Sequence, residues 1–234
     1  MRIFITGDTH GHHSMKRLGS KNFPEGRELT KDDYVIIVGD FGLVWNIEGF
    51  ISKEEIYWTK WLTDKPWTTL FIDGNHENFD RLDKLESTNM FNADVGIVND
   101  SIFHLRRGRV YQIGDIKTFV MGGAMSIDKE SRSICSSWWP QEIPSWAEFD
   151  FGLTNLEKHG HEVDLILTHT MPLSIISQMF GDCYDRTKAF DPTCKYLDAV
   201  RERTNFQRWF CGHFHDDIIL DRFTLIYESI IGIS

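Results

Sequence analysis

The sequence predicts an α/β protein, and three observations carry the prediction. Short apolar runs alternate with helix-like segments along the chain, as in proteins that interleave strands and helices. The 234 residues can bury a sizeable core, and no repeat, low-complexity tract or Pro/Gly/Ser linker divides them, so one domain over 1–234 is expected. Five of the apolar runs end in residues able to bind a metal ion.

In chain order, Ile3-Phe4-Ile5 marks a strand at 2–6, and Val35-Ile36-Ile37-Val38 a strand at 34–39. A helix over 54–63 follows. Leu70-Phe71-Ile72 gives a strand at 69–73, and a helix is expected at 78–86. Strands at 102–106 and 109–113 read as a hairpin around Arg107-Gly108, with another strand at 116–121. Next come a helix at 145–158, a strand at 163–168, a helix at 195–204 and a strand at 208–211. A closing hairpin joins 217–220 to 223–230 around Asp221-Arg222. Residues 126–146 (SIDKESRSICSSWWPQEIPSW) break the rhythm with two prolines and three tryptophans. Such a stretch is either a surface loop pinned by aromatic packing or a binding loop, and both readings stay open.

Composition narrows the function. Apolar residues at 41% and charged residues at 26% are ordinary globular usage, which excludes disorder, collagen and coiled coil. No apolar run approaches the roughly 20 residues of a spanning helix, and the N-terminal apolar stretch is too short for a signal peptide. A cytoplasmic protein away from membranes is expected. Thirty-five acids against 25 bases give a net charge of −10, which argues against a duplex-DNA footprint. Cys135, Cys183, Cys194 and Cys211 form no CxxC pair and read as free thiols.

The chemistry is expected where the strands end. Gly7-Asp8-Thr9-His10-Gly11, Gly39-Asp40, Asp73-Gly74-Asn75-His76-Glu77, Thr168-His169 and Gly212-His213-Phe214-His215 each follow a strand-like run. Ligands of open α/β sheets bind beyond the carboxyl ends of strands, so these side chains should share a crevice. Asp8 and His10 are two apart, which on extended backbone points both to one side; His213 and His215 repeat the spacing. Gly7, Gly39, Gly74 and Gly212 permit sharp turns and close approach. Carboxylates, imidazoles and an amide suit two divalent transition-metal ions, Mn²⁺ foremost with Fe, Zn or Ni as alternatives, better than Ca²⁺ or Mg²⁺.

The order DxH, GD, GNHE, H, GHxH resembles the calcineurin-like metallophosphoesterases from Asp8 to His215. The resemblance implies a sandwich of two mixed β-sheets flanked by helices. It places Asp8, His10 and His215 on one metal, Asn75, His169 and His213 on a second, and Asp40 between them. It makes His76 the catalytic histidine, outside the metal shells. The implied activity is phosphoester hydrolysis by in-line attack of a hydroxide bridging two ions on a small-molecule phosphoester or nucleotide. A nuclease, a cyclic-nucleotide diesterase and a non-catalytic protein-binding scaffold of the same fold are the alternatives. One departure stands out: many relatives read GDxxDRG, whereas Leu43 and Val44 occupy the acid and arginine positions here. Asp128 and Arg132, in the irregular stretch, are candidates to replace them at the substrate, because an arginine fork matches phosphate oxygens.

Other polar residues receive bland assignments. His12 and His13 match no ligand position and should be exposed. His104, His159 and His161 should be solvated, as should Arg106-Arg107-Arg109 at the expected hairpin turn. Trp58, Trp61 and Leu62, at helical spacing beside Ile56, read as core rather than as a base-stacking platform.

Overall fold

The computed structural model describes residues 1–47, 49–181 and 191–233. The β-branched runs form β1 (Ile3–Thr6) and β2 (Tyr34–Val38), followed by α1 (Lys53–Thr63) and β3 (Thr68–Ile72). Ser52 caps α1 by accepting from the Glu55 amide, and Glu54 and Glu55 suit the positive end of its dipole. The helix buries Leu62 and half-buries Trp58 and Trp61, while Ile56 is exposed. α2 (Phe79–Leu82) is a single turn, shorter than the 78–86 expected.

β4 (Ser87–Met90) and β5 (Ala93–Asn99) were not foreseen. Their apolar alternation is weak, since Ser87, Thr88 and Asn89 are exposed and Gly96 interrupts β5. β6 (Ile102–Leu105) and β7 (Arg109–Ile113) correct the expected hairpin. Both edges of β6 are taken, by β3 and β5, so β7 pairs instead with β8 (Ile116–Met121) in a second sheet. Residues 106–108 therefore cross between sheets, with Gly108 at φ +72° making the bend.

The second half adds α3 (Trp146–Lys158), β9 (Leu165–Thr168), an unforeseen α4 (Leu173–Phe180), α5 (Pro192–Arg203) and β10 (Arg208–Cys211). α5 starts earlier than expected, with proline in the first turn, where its missing N–H costs nothing. β11 (Ile218–Leu220) and β12 (Phe223–Leu225) form the last hairpin. The expected strand 223–230 is two pieces, because the chain leaves for the first sheet, where β13 (Ile230–Ile233) pairs antiparallel with β1.

Seven strands in the order β13-β1-β2-β3-β6-β5-β4 face six in the order β11-β12-β10-β9-β8-β7. Each sheet is mixed, with parallel pairs at its centre. Alternation on β2 sends Ile36 and Val38 between the sheets to join Val120, Leu167 and Phe210, and Val35 and Ile37 to the outer face with Leu62 and Trp67. On the opposite outer face Ile166 and Trp209 pack with Phe149, Ile176 and Leu197 of the three later helices. The architecture is helix, sheet, sheet, helix, the sandwich the sequence implied.

Cys194 and Cys211 are buried and Cys135 exposed, all as free thiols; Cys183 lies outside the described residues. No helix among the described residues is long and apolar enough to cross a membrane.

Candidate active site

The loops after β1 and β2 are stitched together through backbone. Thr9 and His10 amides both donate to the Asp40 carbonyl, at 3.2 and 2.7 Å, and Gly11 donates to Phe41 at 2.9 Å. The extended backbone expected between Asp8 and His10 does not occur, since His10 sits at φ +45°, yet the two side chains converge as expected, with His10 Nε2 3.9 Å from Asp8 Oδ2. Asp40 (+46°), His213 (+72°) and His215 (+52°) are left-handed too. Non-glycine residues rarely adopt this region, and when they cluster they point to function. Glycine is needed beside them for space. A Cβ on Gly39 would collide with the His169 ring, and one on Gly212 with the Asp8 carboxylate.

The seven expected metal ligands come together. His215 Nε2 lies 3.2 Å from Asp8 Oδ2 and 2.9 Å from His10 Nε2. His10 Nε2 is also 3.7 Å from Asp40 Oδ2. On the other side of Asp40, His169 Nε2 is 3.4 Å from Oδ1. The amide oxygen of Asn75 then lies 3.0 Å from both His169 Nε2 and His213 Nδ1. Asp8, Asp40 and His169 are buried, whereas the His215 side chain is half exposed.

This donor set fits divalent cations. Donors about 2.1 Å from one ion and at right angles lie about 3 Å apart, close to several of the spacings here. Two groups, Asp8–His10–His215 and Asp8–Asp40–His169, each bring their ligand atoms within 4.8 Å of one another. Outer partners aim the ligands, as they do around bound metals. His169 Nδ1 donates to the Val38 carbonyl at 3.0 Å, leaving Nε2 for the cleft. Asn75 Nδ2 donates to Ser126 Oγ at 3.0 Å, turning the amide oxygen inward.

Electrostatics follow from the crowding. Burial pushes the Asp40 carboxyl up, but the His169, His76 and His10 rings outweigh it and hold it far below the usual range. Burial favours neutral His169, yet Asp40 and Asp8 raise it well above an ordinary imidazole. Burial wins at His213, pushed down to about 3, and at His10, also lowered. His215 is raised, first by its hydrogen bond to Asp8.

His76 sits beside this cluster, its backbone N–H donating to Asp40 Oδ1 at 2.7 Å. Leu43 and Val44 are buried in the outer core. Arg132 Nη1 instead reaches His76 Nδ1 at 2.7 Å, and Arg132 Nη2 donates to Asp128 Oδ2 at 2.8 Å. A guanidinium only donates, so His76 Nδ1 accepts. Burial, reinforced by Arg132, lowers the His76 pKa against the pull of Asp40. The irregular stretch thus brings Arg132 to His76, with Asp128 behind it.

Several assignments need correction. His104 is buried: it stacks on Phe71 and bonds Asp73 Oδ1 through Nε2 at 3.1 Å. Arg107 is buried rather than solvated, with Nη2 2.6 Å from Asp73 Oδ2, and Arg109 pairs with Asp94 at 2.5 Å. Both follow from the chain crossing between sheets at this point instead of turning in solvent. His159 is exposed but His161 is only partly so. His12 and His13 are exposed, as expected, and line a cleft together with His10 and His76. Trp58 lines the same cleft and so is not purely core.

Sequence reasoning missed other contributors. Glu77 accepts from the Phe41 amide at 2.6 Å, bracing the loop that carries Asp40, and burial holds its carboxyl well above the usual value. Glu142 accepts from Ser126 Oγ at 2.6 Å, fixing the group that fixes Asn75. Arg17 donates to the Gly7 and Asp8 carbonyls and lies 5.6 Å from the centre of the Tyr227 ring, which stacks on His215. Glu77 had a signal, its place beside His76; the others lie far away in sequence and had none.

Comparison with known proteins identifies the family. The calcineurin-like phosphoesterase family matches residues 1–217. The chain belongs to this family. Membership implies divalent metal ions and phosphoester hydrolysis. A search of curated protein sequences returns no match. Among solved structures the chain is similar to a putative 5'-nucleotidase from Staphylococcus aureus, with 15% identity and a TM-score of 0.54. That similarity covers all of this phosphoesterase but half of the other chain, and it shows the fold. Phosphopantetheinyl hydrolase from Mycobacterium tuberculosis matches over 97% of this chain and 90% of its own, at 16% identity and a TM-score of 0.46.

Proposed function

We propose that this phosphoesterase holds two divalent ions, Mn²⁺ foremost, and hydrolyses a small-molecule phosphoester without a covalent enzyme intermediate. The observation that carries the reading is the position of Asp40, whose two oxygens face separate donor sets: His10 on one side, His169 and Asn75 on the other. Asp8 and His215 complete the first set with His10, and His213 completes the second. When bound, divalent cations supply positive charge to phosphoryl oxygens and make water more acidic.

The chain's own residues do the rest. With Nδ1 accepting from Arg132 at 2.7 Å, neutral His76 carries its proton on Nε2, 3.4 Å from Arg132 Nη2, where it can be given to a departing oxygen beside the fork. The Arg132 fork supplies N–H donors for phosphoryl oxygens, and Asp128 holds that fork at the cleft.

The test is metal content and turnover together. Protein purified without chelator should carry up to two transition-metal equivalents. With added Mn²⁺ it should hydrolyse members of a phosphometabolite and nucleotide panel. Rates on p-nitrophenyl phosphate and bis(p-nitrophenyl) phosphate separate monoester from diester preference. Asp40→Asn should lower occupancy of both sites and cost more than the roughly 10–100-fold typical of an outer-sphere partner. Unchanged metal content in that variant removes the dinuclear reading.

A further inference from the structure

His76 has two sides of different character. The Arg132 fork, held by Asp128, covers one, 2.7 Å from Nδ1 and 3.4 Å from Nε2. His76 also lines a cleft of about 470 Å³, together with His10, Trp45 and Trp58. Its volume lies in the roughly 300–1,000 Å³ range of small-molecule sites. A leaving oxygen that takes its proton from His76 lies against that ring, and because His76 lines the cleft, the group attached to this oxygen has the cleft beside it.

The walls state what that group is. Trp45 and Trp58 contribute indoles, and His12 and His13 contribute imidazoles whose centroids are 4.0 Å apart and tilted by 32°. Trp45 is braced from behind by Trp139, edge to face at 5.6 Å. Among the described residues that line the cleft there is no lysine or arginine. Of the two lining acids, Glu55 is occupied: it pairs with Arg81 at 2.5 Å and accepts from the Trp45 and Asn46 amides. Glu54 is exposed, its carboxylate 4.0 Å from His12 Nδ1. A second phosphate in the cleft would therefore meet the Glu54 carboxylate and, among the described lining residues, no lysine or arginine. The side-chain oxygen of Asn46 accepts from the Ser52 amide at 2.8 Å, which leaves its N–H groups for a ligand's polar edge.

We propose that this cleft is the leaving-group subsite and takes a flat, uncharged aromatic group of about nucleoside size attached to a single phosphate. The inference rests on the phosphoesterase reading and adds its substrate class. Flat π-faces meet on the indoles, the same stacking by which aromatic side chains hold bases without regard to sequence. A polyphosphate or a nucleic-acid strand, which requires cations along its path, does not suit these walls.

Adenosine, AMP, ADP and glycerol 3-phosphate are the probes. Adenosine should bind saturably, followed by tryptophan fluorescence, and the affinity should fall about 5- to 150-fold in Trp58→Ala, the span of one base–aromatic stack. Trp58→Phe should keep most of it. With Mn²⁺, the ratio of kcat/KM on AMP to that on glycerol 3-phosphate should fall by a similar factor in Trp58→Ala. Glu54→Arg, at an exposed position that leaves packing intact, should raise the use of ADP relative to AMP. Absence of saturable adenosine binding by the wild type overturns the proposal, as does an equal loss on both phosphoesters in Trp58→Ala. An inert metal-loaded protein that still binds adenosine through Trp58 would overturn the phosphoesterase reading alone, since the binding measurement needs no turnover.

Discussion

Asp40 and Asp73 are both buried at the ends of neighbouring strands, yet they are surrounded in opposite ways. Asp73 is neutralised by the chain itself. Arg107 approaches one of its oxygens at 2.6–2.7 Å and His104 the other at 3.1 Å. Around Asp40, apart from the His76 backbone N–H at 2.7 Å, the neighbours are the Asp8 carboxylate and the His10 and His169 imidazoles, with the Asn75 oxygen beyond His169. A buried carboxylate matched to a guanidinium is a structural device, because its charge and lone pairs are satisfied by fixed donors. A crowd of acceptors in low dielectric is costly unless a cation joins it. The balance of donors and acceptors, not burial or depressed pKa, separates the two, since both carboxyls lie below their usual range.

The sharpest way to break this comparison is Arg107→Leu. Removing one partner of a buried pair costs about 3–5 kcal/mol, a loss of roughly 150- to 4,000-fold in the folding equilibrium. Metal stoichiometry should be unchanged in the folded fraction. The pH dependence has a definite sign. Asp73 is depressed in the fold, burial being outweighed by Arg107 and His104. Its pairing therefore contributes fully above the unfolded Asp pKa, about 3.9, and is lost as pH falls towards the depressed folded value. In Arg107→Leu the stability gap to wild type should narrow as acid protonates Asp73. Denaturant unfolding between pH 7 and pH 3 measures it; a gap that does not depend on pH would assign the loss to packing against Phe79 instead.

The same pair shows how much the sequence could reveal. Asp40 was legible because its signal is written locally: an apolar run, a glycine, then a donor, repeated in kind at Asp8, Asn75 and His213, and with threonine in place of the glycine at His169. Asp73 precedes Gly74-Asn75-His76 in that very grammar, yet its partners come from 104 and 107, across a register no pattern specifies. The misread hairpin hid them, for Arg107-Gly108 has turn composition, and only the occupied edges of β6 force the crossing. Strands with clean alternation were found, whereas β4 and β5, polar on their outer side, were not. The left-handed backbone at His10, Asp40, His213 and His215 had no signal either, because glycine is the residue that announces it.

A smaller effect tests how the acceptor-rich side is aimed. Asn75 can present oxygen or nitrogen, and Ser126, held by Glu142, decides which. Ser126→Ala should weaken metal binding at the Asn75–His169–His213 set by about 10–100-fold, the usual cost of an outer partner, with the Asp8–His10–His215 set unaffected. Metal titration should then resolve two affinities that differ by that factor more than in wild type, and excess Mn²⁺ should restore turnover. An equal fall at both sets would mean that Ser126 supports the whole floor rather than one amide.

The smallest effect belongs to the half-exposed loop, where fixed geometry gives way to a single side chain. Arg132 is mostly buried while Asp128 is half exposed, so their ion pair by itself is worth little. Its consequence lies at His76. If the guanidinium grips phosphate, Arg132→Ala should raise KM about tenfold, the low end for a hydrogen bond to a charged group, on every phosphoester tested. If it chiefly fixes the His76 ring by donating to Nδ1, kcat should fall instead. That fall should be larger on an alkyl ester than on a nitrophenyl ester, whose phenolate departs without a proton. Arg132→Lys keeps the charge but not the fork, so it should rescue the first role more than the second. Metal content stays at the wild-type value in either case, because neither donor set includes Arg132. Wild-type kinetics throughout would return the residue to the surface and leave His76 to be oriented by its own backbone bond to Asp40.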